Sequence, residues 1–266
     1  MTATRTIVVT GSASGMGAAT RRRLEADGQR VIGVDLHDAE VVADLRDSEG
    51  RAAAARSVAD LVGDGSVDGL VTWAGVPGLS DVPGSLVASV NYFGTVALLE
   101  SLRPLLARGD RPAAVAISSN SVTCQPALPL DVVEHCLRGD EPAARDAADA
   151  AGGVATYPAT KLAIARWARR HAPSPEWAGA GITLNVVAPG AVETPLLDTV
   201  RADDVIGGLI DAFPIPVGRK GTADELAALV VFLLGPDARF LCGSVVFADG
   251  GSDAVLRPDD HPTPMP

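Results

Sequence analysis

Short apolar runs alternate with longer helix-like stretches along most of the chain. Six runs have the length and composition of buried strands: Thr6–Thr10, Gln29–Asp35, Val67–Ala74, Ala113–Ser119, Ile182–Ala188 and Ser244–Ala248. Helix-like stretches occupy residues 16–27, 48–62, 84–107, 154–172 and 222–234. Strands that alternate with helices in this way are typical of an α/β fold, a parallel sheet wrapped by helices.

Three segments depart from this alternation. Residues 126–153 are rich in Ala and Asp and predict helices without a strand. Residues 194–221 mix aliphatic side chains with Pro and Gly, as a mobile lid does. Residues 258–266 carry four Pro and predict an extended tail. Because we find neither an internal repeat nor a linker, we expect one domain over residues 1–266.

Composition excludes several classes of protein. The 266 residues carry 22 basic and 33 acidic side chains, a net charge of −11, and 47% are hydrophobic. This composition predicts a folded chain, and its acidity argues against nucleic acid or an anionic membrane as a partner. The apolar runs Ile7–Val9 and Leu226–Leu234 are too short for a signal peptide and a membrane span, so we expect a cytoplasmic protein. The three Cys and four His lack ligand spacing, so no metal site is predicted.

A glycine-rich turn follows the first strand and opens the first helix. It reads Thr10-Gly11-Ser12-Ala13-Ser14-Gly15-Met16-Gly17. Glycines let the backbone approach a pyrophosphate, and the helix N-terminus supplies free N–H groups, so the turn predicts a dinucleotide site. A P-loop is excluded because no Gly-Lys-Ser/Thr follows.

Asp35 ends the second strand, 18 residues after the last glycine of the turn. A carboxylate there can accept hydrogen bonds from the adenosine ribose and would repel a 2′-phosphate. No Lys or Arg occupies residues 36–38, so the sequence predicts NAD rather than NADP. The alternative is a solvated Asp at a strand end.

Tyr157 and Lys161 are four residues apart on a predicted helix and therefore share one face. A phenol needs a neighbouring cation to exchange protons at neutral pH, and Lys161 can supply it. Taken alone, such a pair is more often a chance surface pair.

Taken in order, the motifs resemble the short-chain dehydrogenase/reductase family over residues 6–257. The matching pieces are Thr10-Gly11-x-x-x-Gly15-x-Gly17, Asp35, Asp44-Leu45, Ala74-Gly75, Asn91, Ile117-Ser118-Ser119, Tyr157-x-x-x-Lys161, Asn185 and Pro189-Gly190. The resemblance implies a single Rossmann-like, doubly wound parallel sheet with helices on both faces. It also implies an enzyme that uses NAD(P) to interconvert an alcohol and a ketone.

The resemblance assigns four catalytic roles. Tyr157 would be the acid/base, Lys161 would bind the nicotinamide ribose and depress the tyrosine pKa, and Ser119 would bind the substrate oxygen. Asn91 would hold a water of the proton relay, or be a buried structural amide. Ser118 and Ser121 compete with Ser119 for the serine role, and we prefer Ser119 because it matches the second serine of the pair.

The same resemblance assigns contacts with the dinucleotide. They are Gly11, Ser14, Gly15, Met16, Gly17, Asp35, Asp44, Leu45, Ala74, Gly75, Tyr157, Lys161, Pro189, Gly190, Val192 and Thr194. Asp44 and Leu45 would contact adenine, and Val192 and Thr194 the nicotinamide carboxamide. Asp44 could instead be a turn residue, and Thr194 a helix cap.

Two departures from the family pattern are informative. The usual Asn-Asn-Ala-Gly is here Thr72-Trp73-Ala74-Gly75, so we expect Trp73 to pack beside the cofactor. Ser119 and Tyr157 are 38 residues apart, which is long for the family, so residues 126–153 are interpreted as a helical insertion. We expect this insertion and residues 194–221 to build the substrate pocket.

The insertion and the two segments Glu193–Leu197 and Asp253–Pro258 are similar to a bacterial subgroup typified by 3α-hydroxysteroid dehydrogenase/carbonyl reductase. This similarity implies an apolar, cyclic alcohol or ketone such as a steroid, a terpenoid or an aromatic carbonyl compound. Seven side chains could line its pocket or form a core-facing stripe: Leu196, Leu197, Val200, Ile206, Leu209, Ile210 and Phe213.

Alternatives stay open at this stage. The same residues could reduce a C=C or C=N bond, or the chain could be a dinucleotide-binding sensor without turnover. The resemblance implies a homodimer or homotetramer that associates through the helices at 84–107 and 154–172, with the insertion blocking one interface.

Overall fold

Parallel strands form the centre of the computed structural model, which describes residues 4–260 except the side chains of Leu209 and Asp211. The strands of this part of the chain are β1 (Thr6–Thr10), β2 (Arg30–Asp35), β3 (Val41–Val42), β4 (Gly69–Thr72), β5 (Ala113–Ile117), β6 (Thr183–Pro189), β7 (Val192–Glu193), β8 (Gly221–Thr222) and β9 (Val245–Ala248). The main sheet has seven strands in the order β3-β2-β1-β4-β5-β6-β9, and β7 pairs with β8. The predicted doubly wound parallel sheet is confirmed.

Helices cover both faces of the sheet. They are α1 (Gly15–Ala26), α2 (Ser48–Val62), α3 (Gly84–Val87), α4 (Thr95–Leu106), α5 (Ser121–Cys124), α6 (Leu130–Arg138), α7 (Glu141–Ala151), α8 (Gly153–His171), α9 (Pro195–Arg201), α10 (Gly207–Asp211), α11 (Ala223–Leu234) and α12 (Ser252–Leu256). Helices α1 and α11 bury Leu24 and Leu226 against Ile7 of β1. Because side chains alternate along a strand, Val8 faces the other layer, where α4 and α8 pack.

Two predicted strands are too long, and the two-residue strands β3, β7 and β8 were not predicted. The run predicted at 67–74 is a strand only at Gly69–Thr72, and the run at 113–119 ends at Ile117, because the following residues turn away to form loops at the sheet edge. Strand β3 pairs with Val34 and Asp35 over two residues, which is too short to produce a periodic pattern.

The helix predicted at 84–107 is continuous over 84–106, but its middle is π-helical at Ala88–Gly94. By length and composition alone, with a mean hydropathy of 1.2, this helix could cross a membrane, a feature that sequence inspection missed. In the structure, 61% of its most apolar 18-residue stretch is buried inside the protein. It is therefore placed as a core helix.

Residues 126–153 contain helices and no strand, as their composition predicts. Helix α6 ends at Gly139, whose φ of 73° is left-handed, and α7 begins beside Asp140, whose carboxylate accepts a hydrogen bond from the Ala143 N–H. The apolar faces of both helices are buried against α3, the π-helical turn and α8.

Residues 194–221 contain α9 and α10, and the short β7–β8 pair joins the two ends of the segment. Thr194 caps α9 by accepting a hydrogen bond from the Leu197 N–H at 3.3 Å. Of the predicted tail at 258–266, residues 261–266 lie outside the described part of the chain.

Candidate active site

A groove opens at the carboxyl ends of β1, β2 and β4, where the strand order reverses. The glycine-rich turn forms its floor. Gly11 has a left-handed φ of 67°, and a Cβ there would lie 2.8 Å from the Ala74 backbone nitrogen. A Cβ on Gly17 would collide with the Gly11 carbonyl oxygen. Glycine is therefore required at both positions, and it leaves the backbone open to a ligand.

The N-terminus of α1 faces this groove. Ser14 is the exposed N-cap residue, and its side chain makes no capping hydrogen bond. The first turn of α1 contains no acidic residue. Its free N–H groups and the positive end of the helix dipole therefore suit a pyrophosphate.

Eleven of the predicted cofactor contacts line the groove: Gly11, Ser14, Gly15, Met16, Gly17, Asp35, Asp44, Leu45, Ala74, Gly75 and Thr194. Trp73 lies there as expected, and its indole N–H donates to the Thr20 hydroxyl at 3.0 Å. Sequence reasoning missed other lining residues: Val34, Leu36, Ala43, Arg46, Val76, Leu86, Val90, Pro195 and Leu196. Most are apolar side chains that carry no motif.

Two carboxylates stand at the end of the groove where the sequence predicts the adenosine half of the cofactor. Asp35 accepts hydrogen bonds from the N–H groups of Ala13 at 2.9 Å and Leu36 at 2.7 Å, so it ties the glycine-rich turn to the end of β2. Asp44 pairs with Arg46 at 2.6 Å and accepts its backbone N–H, so it is a turn residue that also lines the groove.

A second cavity continues from the groove toward β5 and β6. The five remaining predicted contacts line it, namely Tyr157, Lys161, Pro189, Gly190 and Val192, and Thr194 borders both the groove and this cavity. The Lys161 ammonium lies 5.7 Å from the centre of the Tyr157 ring and donates to the Ile117 carbonyl at 3.1 Å. The predicted pair therefore sits at the inner end of the groove rather than on the surface.

Burial shifts the pKa of both members of the pair. It lowers the pKa of Lys161 from 10.5 to about 8, so the amine is mostly charged at pH 7. The predicted lowering of the tyrosine pKa by Lys161 is not found. The pKa of the Tyr157 phenol lies above its ordinary value of 10, because burial raises it and only a hydrogen bond with the Ser119 side chain opposes this rise. At neutral pH the structure thus holds a protonated phenol near a lysine cation.

The three candidate serines have different partners. The Ser118 hydroxyl is buried and donates to the Lys161 carbonyl at 2.9 Å. The Ser119 hydroxyl accepts from the Ser121 N–H at 3.1 Å and contacts Tyr157. Ser121 lines only the neighbouring apolar pocket. Of the three, Ser119 is the one placed beside the phenol.

Asn91 is fully buried in the π-helical turn. Its side-chain amide pairs with the backbone of Val76, accepting from the N–H at 2.8 Å and donating to the carbonyl at 3.0 Å. This contact holds the loop after β4, as a structural amide does. The proposed part of Asn91 in a proton relay stays a prediction.

An apolar pocket adjoins Tyr157 and Ser119 and shares Leu196 with the dinucleotide groove. Six of the seven predicted side chains line it, namely Leu196, Leu197, Val200, Ile206, Ile210 and Phe213, while the side chain of Leu209 lies outside the described part. Gln125 and Val154 flank the insertion and reach the pocket, but none of residues 126–153 lines it. The expectation that the insertion builds this pocket is therefore wrong, because its helices pack behind the dinucleotide groove.

Comparison with known proteins identifies the class to which this fold and site belong. Residues 5–128 match the family described as short chain dehydrogenase, and residues 144–253 match the one described as Enoyl-(Acyl carrier protein) reductase. The chain belongs to the short-chain dehydrogenase/reductase family, and it is an oxidoreductase.

Individual relatives agree with this assignment. The chain is 41% identical to 3-alpha-hydroxysteroid dehydrogenase/carbonyl reductase of Comamonas testosteroni, covering 95% of this chain and 98% of the relative. It is 34% identical to coniferyl-alcohol dehydrogenase of a Pseudomonas species, covering 92% and 95%. The 3-alpha-hydroxysteroid dehydrogenase of Pseudomonas sp. B-0831, solved in complex with NADH, superimposes with a TM-score of 0.91 at 44% identity, covering 96% of this chain and 99% of that one.

Proposed function

We propose that this protein is an NAD-dependent oxidoreductase that interconverts a secondary alcohol and a ketone on an apolar, cyclic substrate. One observation carries the proposal. Tyr157 and Ser119 border both the cavity that continues the dinucleotide groove and the apolar pocket beyond it. A reacting carbon in the pocket would therefore lie between the proton donor and the end of the dinucleotide.

The dinucleotide, when bound, supplies or accepts the hydride. Tyr157 then donates its proton to the forming alkoxide, for which its elevated pKa keeps it protonated at neutral pH. Ser119 hydrogen-bonds the substrate oxygen, and the Lys161 charge stabilises the tyrosinate left behind. Burial of the lysine strengthens this effect, since little water screens the charge.

The preference for NAD over NADP rests on Asp35. Its carboxylate is fixed by the Ala13 and Leu36 N–H groups at the adenosine end of the groove, where it would accept from ribose hydroxyls and repel a 2′-phosphate. Arg46 also lines this end, where it pairs with Asp44 at 2.6 Å.

The substrate class rests on the pocket. Its walls are mainly aliphatic and aromatic, with a few polar side chains among them, including Ser119, Ser121 and Gln125. A steroid, a terpenoid or an aromatic carbonyl compound has this distribution of polarity, and two relatives are named for such substrates.

We also propose that residues 194–221 act as a lid and that the protein is a homo-oligomer. Asp203 in this segment accepts hydrogen bonds from the N–H and hydroxyl of Ser80, two residues after the pocket residue Gly78, both at 2.8 Å. Helices α6 and α7 of the insertion pack on α8, one of the two helices through which the resemblance implies association. A second copy would therefore bind elsewhere, and the edge strand β9 and the fully exposed Phe240 offer apolar surface for it.

The function is tested by replacing Tyr157 with Phe and following NADH absorbance with a panel of cyclic ketones. Turnover should fall about 10²- to 10⁴-fold while NADH binding persists, because only the proton donor is lost. Tyr92→Phe, at the other tyrosine of the chain, is the control, since Tyr92 is buried away from the groove. Undiminished turnover would refute the role of Tyr157.

Two further observations separate the alternative functions. Product analysis distinguishes ketone reduction from C=C or C=N reduction. NADH binding without turnover on any substrate would favour a sensor.

A further inference from the structure

Arg51 is a buried cation behind the dinucleotide groove. Its side chain is only 6% exposed, and its guanidinium makes five hydrogen bonds. Three go to backbone carbonyls, those of Leu45 at 2.8 Å, Arg46 at 3.0 Å and Ser89 at 2.9 Å. Two form a bidentate pair with Glu141, both at 2.7 Å.

The three carbonyls belong to segments that form the groove wall. Leu45 and Arg46 line the adenosine end of the groove, and Ser89 directly precedes Val90, which also lines it. Arg51 therefore fixes the loop before α2 and the π-helical turn relative to each other. Gly94 at the end of that turn lies so close to Leu45 that a Cβ on it would be 3.2 Å from the leucine Cβ.

Glu141 reaches Arg51 from a distant part of the chain. It lies in the first turn of α7, in the insertion, and is 90 residues from Arg51. Burial would raise the pKa of Glu141, but the Arg51 guanidinium and the Ser89 hydroxyl hold it below its ordinary value. Arg145, one turn further along α7, donates to the same Ser89 hydroxyl at 2.6 Å. Helix α7 thus contributes both an anion and a cation to the back of the groove wall.

We propose that Arg51 and Glu141 are positioning residues through which the insertion sets the affinity for the adenosine half of the dinucleotide. The inference rests on the proposed dinucleotide binding. Neither side chain touches the groove itself, and both act through the loop and the turn that Arg51 joins. This role explains why the insertion packs behind the groove rather than in the apolar pocket.

Removing the charge of Glu141 leaves a buried guanidinium without a counter-ion, so the carbonyls that Arg51 holds lose their fixed position. We expect Glu141→Gln to weaken binding of NADH and of ADP-ribose by the same factor, about tenfold. The turnover rate at saturating NADH and the KM for the ketone should stay within about twofold. Arg51→Lys keeps the charge but cannot span all four partners, so it should show the same selective loss.

The test is isothermal titration calorimetry of the full chain with NADH and with ADP-ribose, together with steady-state kinetics. Asp140→Asn is the matched control. It removes one negative charge at the same end of α7, keeps a good N-cap and does not contact Arg51. Its affinity for ADP-ribose should equal that of the wild type.

Unchanged ADP-ribose affinity in both Glu141→Gln and Arg51→Lys would overturn the inference, even if both variants unfold more readily. An equal loss in Asp140→Asn would also overturn it, because the effect would then reflect α7 as a whole. Failure of the wild type to bind NADH or ADP-ribose would instead refute the proposed function.

Discussion

Replacing Lys161 with Met should stabilise the protein while removing its activity. Lys161 is 4% exposed, and burial lowers the pKa of its ammonium from 10.5 to about 8. At pH 7 this difference corresponds to about 3 kcal/mol of folding free energy lost to holding the charge inside the protein. Met has a similar volume and no charge, but the Ile117 carbonyl would lose its hydrogen bond, at a cost of about 1 kcal/mol. We therefore expect Lys161→Met to be more stable by about 2 kcal/mol at pH 7.

The pH dependence of the unfolding free energy tests whether the buried Lys161 charge causes this difference in stability. Between pH 8 and 10.5 the unfolded lysine binds a proton that the folded one does not, so wild-type stability should rise with pH. The advantage of Lys161→Met should shrink over the same range. Urea unfolding of both proteins at pH 7, 8, 9 and 10 measures this. Lys220→Met, at the only other lysine, controls for the substitution itself. A variant that is less stable at pH 7, or a stability difference that does not change with pH, would refute the reasoning.

Three further predictions concern the cofactor, the lid and assembly. Asp35→Asn should lower the KM for NADPH relative to the KM for NADH by about tenfold or more, because a charged acceptor is lost at the ribose. An unchanged ratio of the two KM values would contradict the NAD preference. Asp203→Ala should raise the KM for the ketone several-fold and leave NADH affinity unchanged, since it frees the lid from Ser80. Hydrogen bonds from Ser80 lower the pKa of Asp203 to about 2, so in the wild type this tie is present above that pH and is lost only as the pH falls through it. Phe240→Glu should reduce the mass measured by light scattering to that of a monomer, whereas a wild type that is already monomeric would exclude the oligomer.

Local patterns predicted most of the sheet because each strand is a short apolar run that needs no distant partner to be recognised. The glycine-rich turn was equally visible, since its residue types follow from steric contacts such as that between Gly11 and Ala74. The choice among Ser118, Ser119 and Ser121 rested on resemblance, and only the hydrogen bonds of the fold separate the three.

Other features depend on contacts that a linear pattern does not contain. Strand β3 exists because Val41 and Val42 meet the end of β2, not because of their own periodicity. The pair of Arg51 and Glu141 joins residues 90 positions apart, so neither one has a recognisable neighbour in the sequence. The position of the insertion was mispredicted for the same reason: proximity to Tyr157 along the chain did not translate into proximity to the pocket.

The position of Leu196 bears on the order in which the dinucleotide and the ketone bind. Its side chain borders the dinucleotide groove, the cavity around Tyr157 and the apolar pocket. A dinucleotide that fills the groove would press against this side chain and complete one wall of the pocket before any ketone enters. Release of the dinucleotide would require the same wall to move again. We therefore expect a compulsory kinetic order in which the dinucleotide binds first and leaves last.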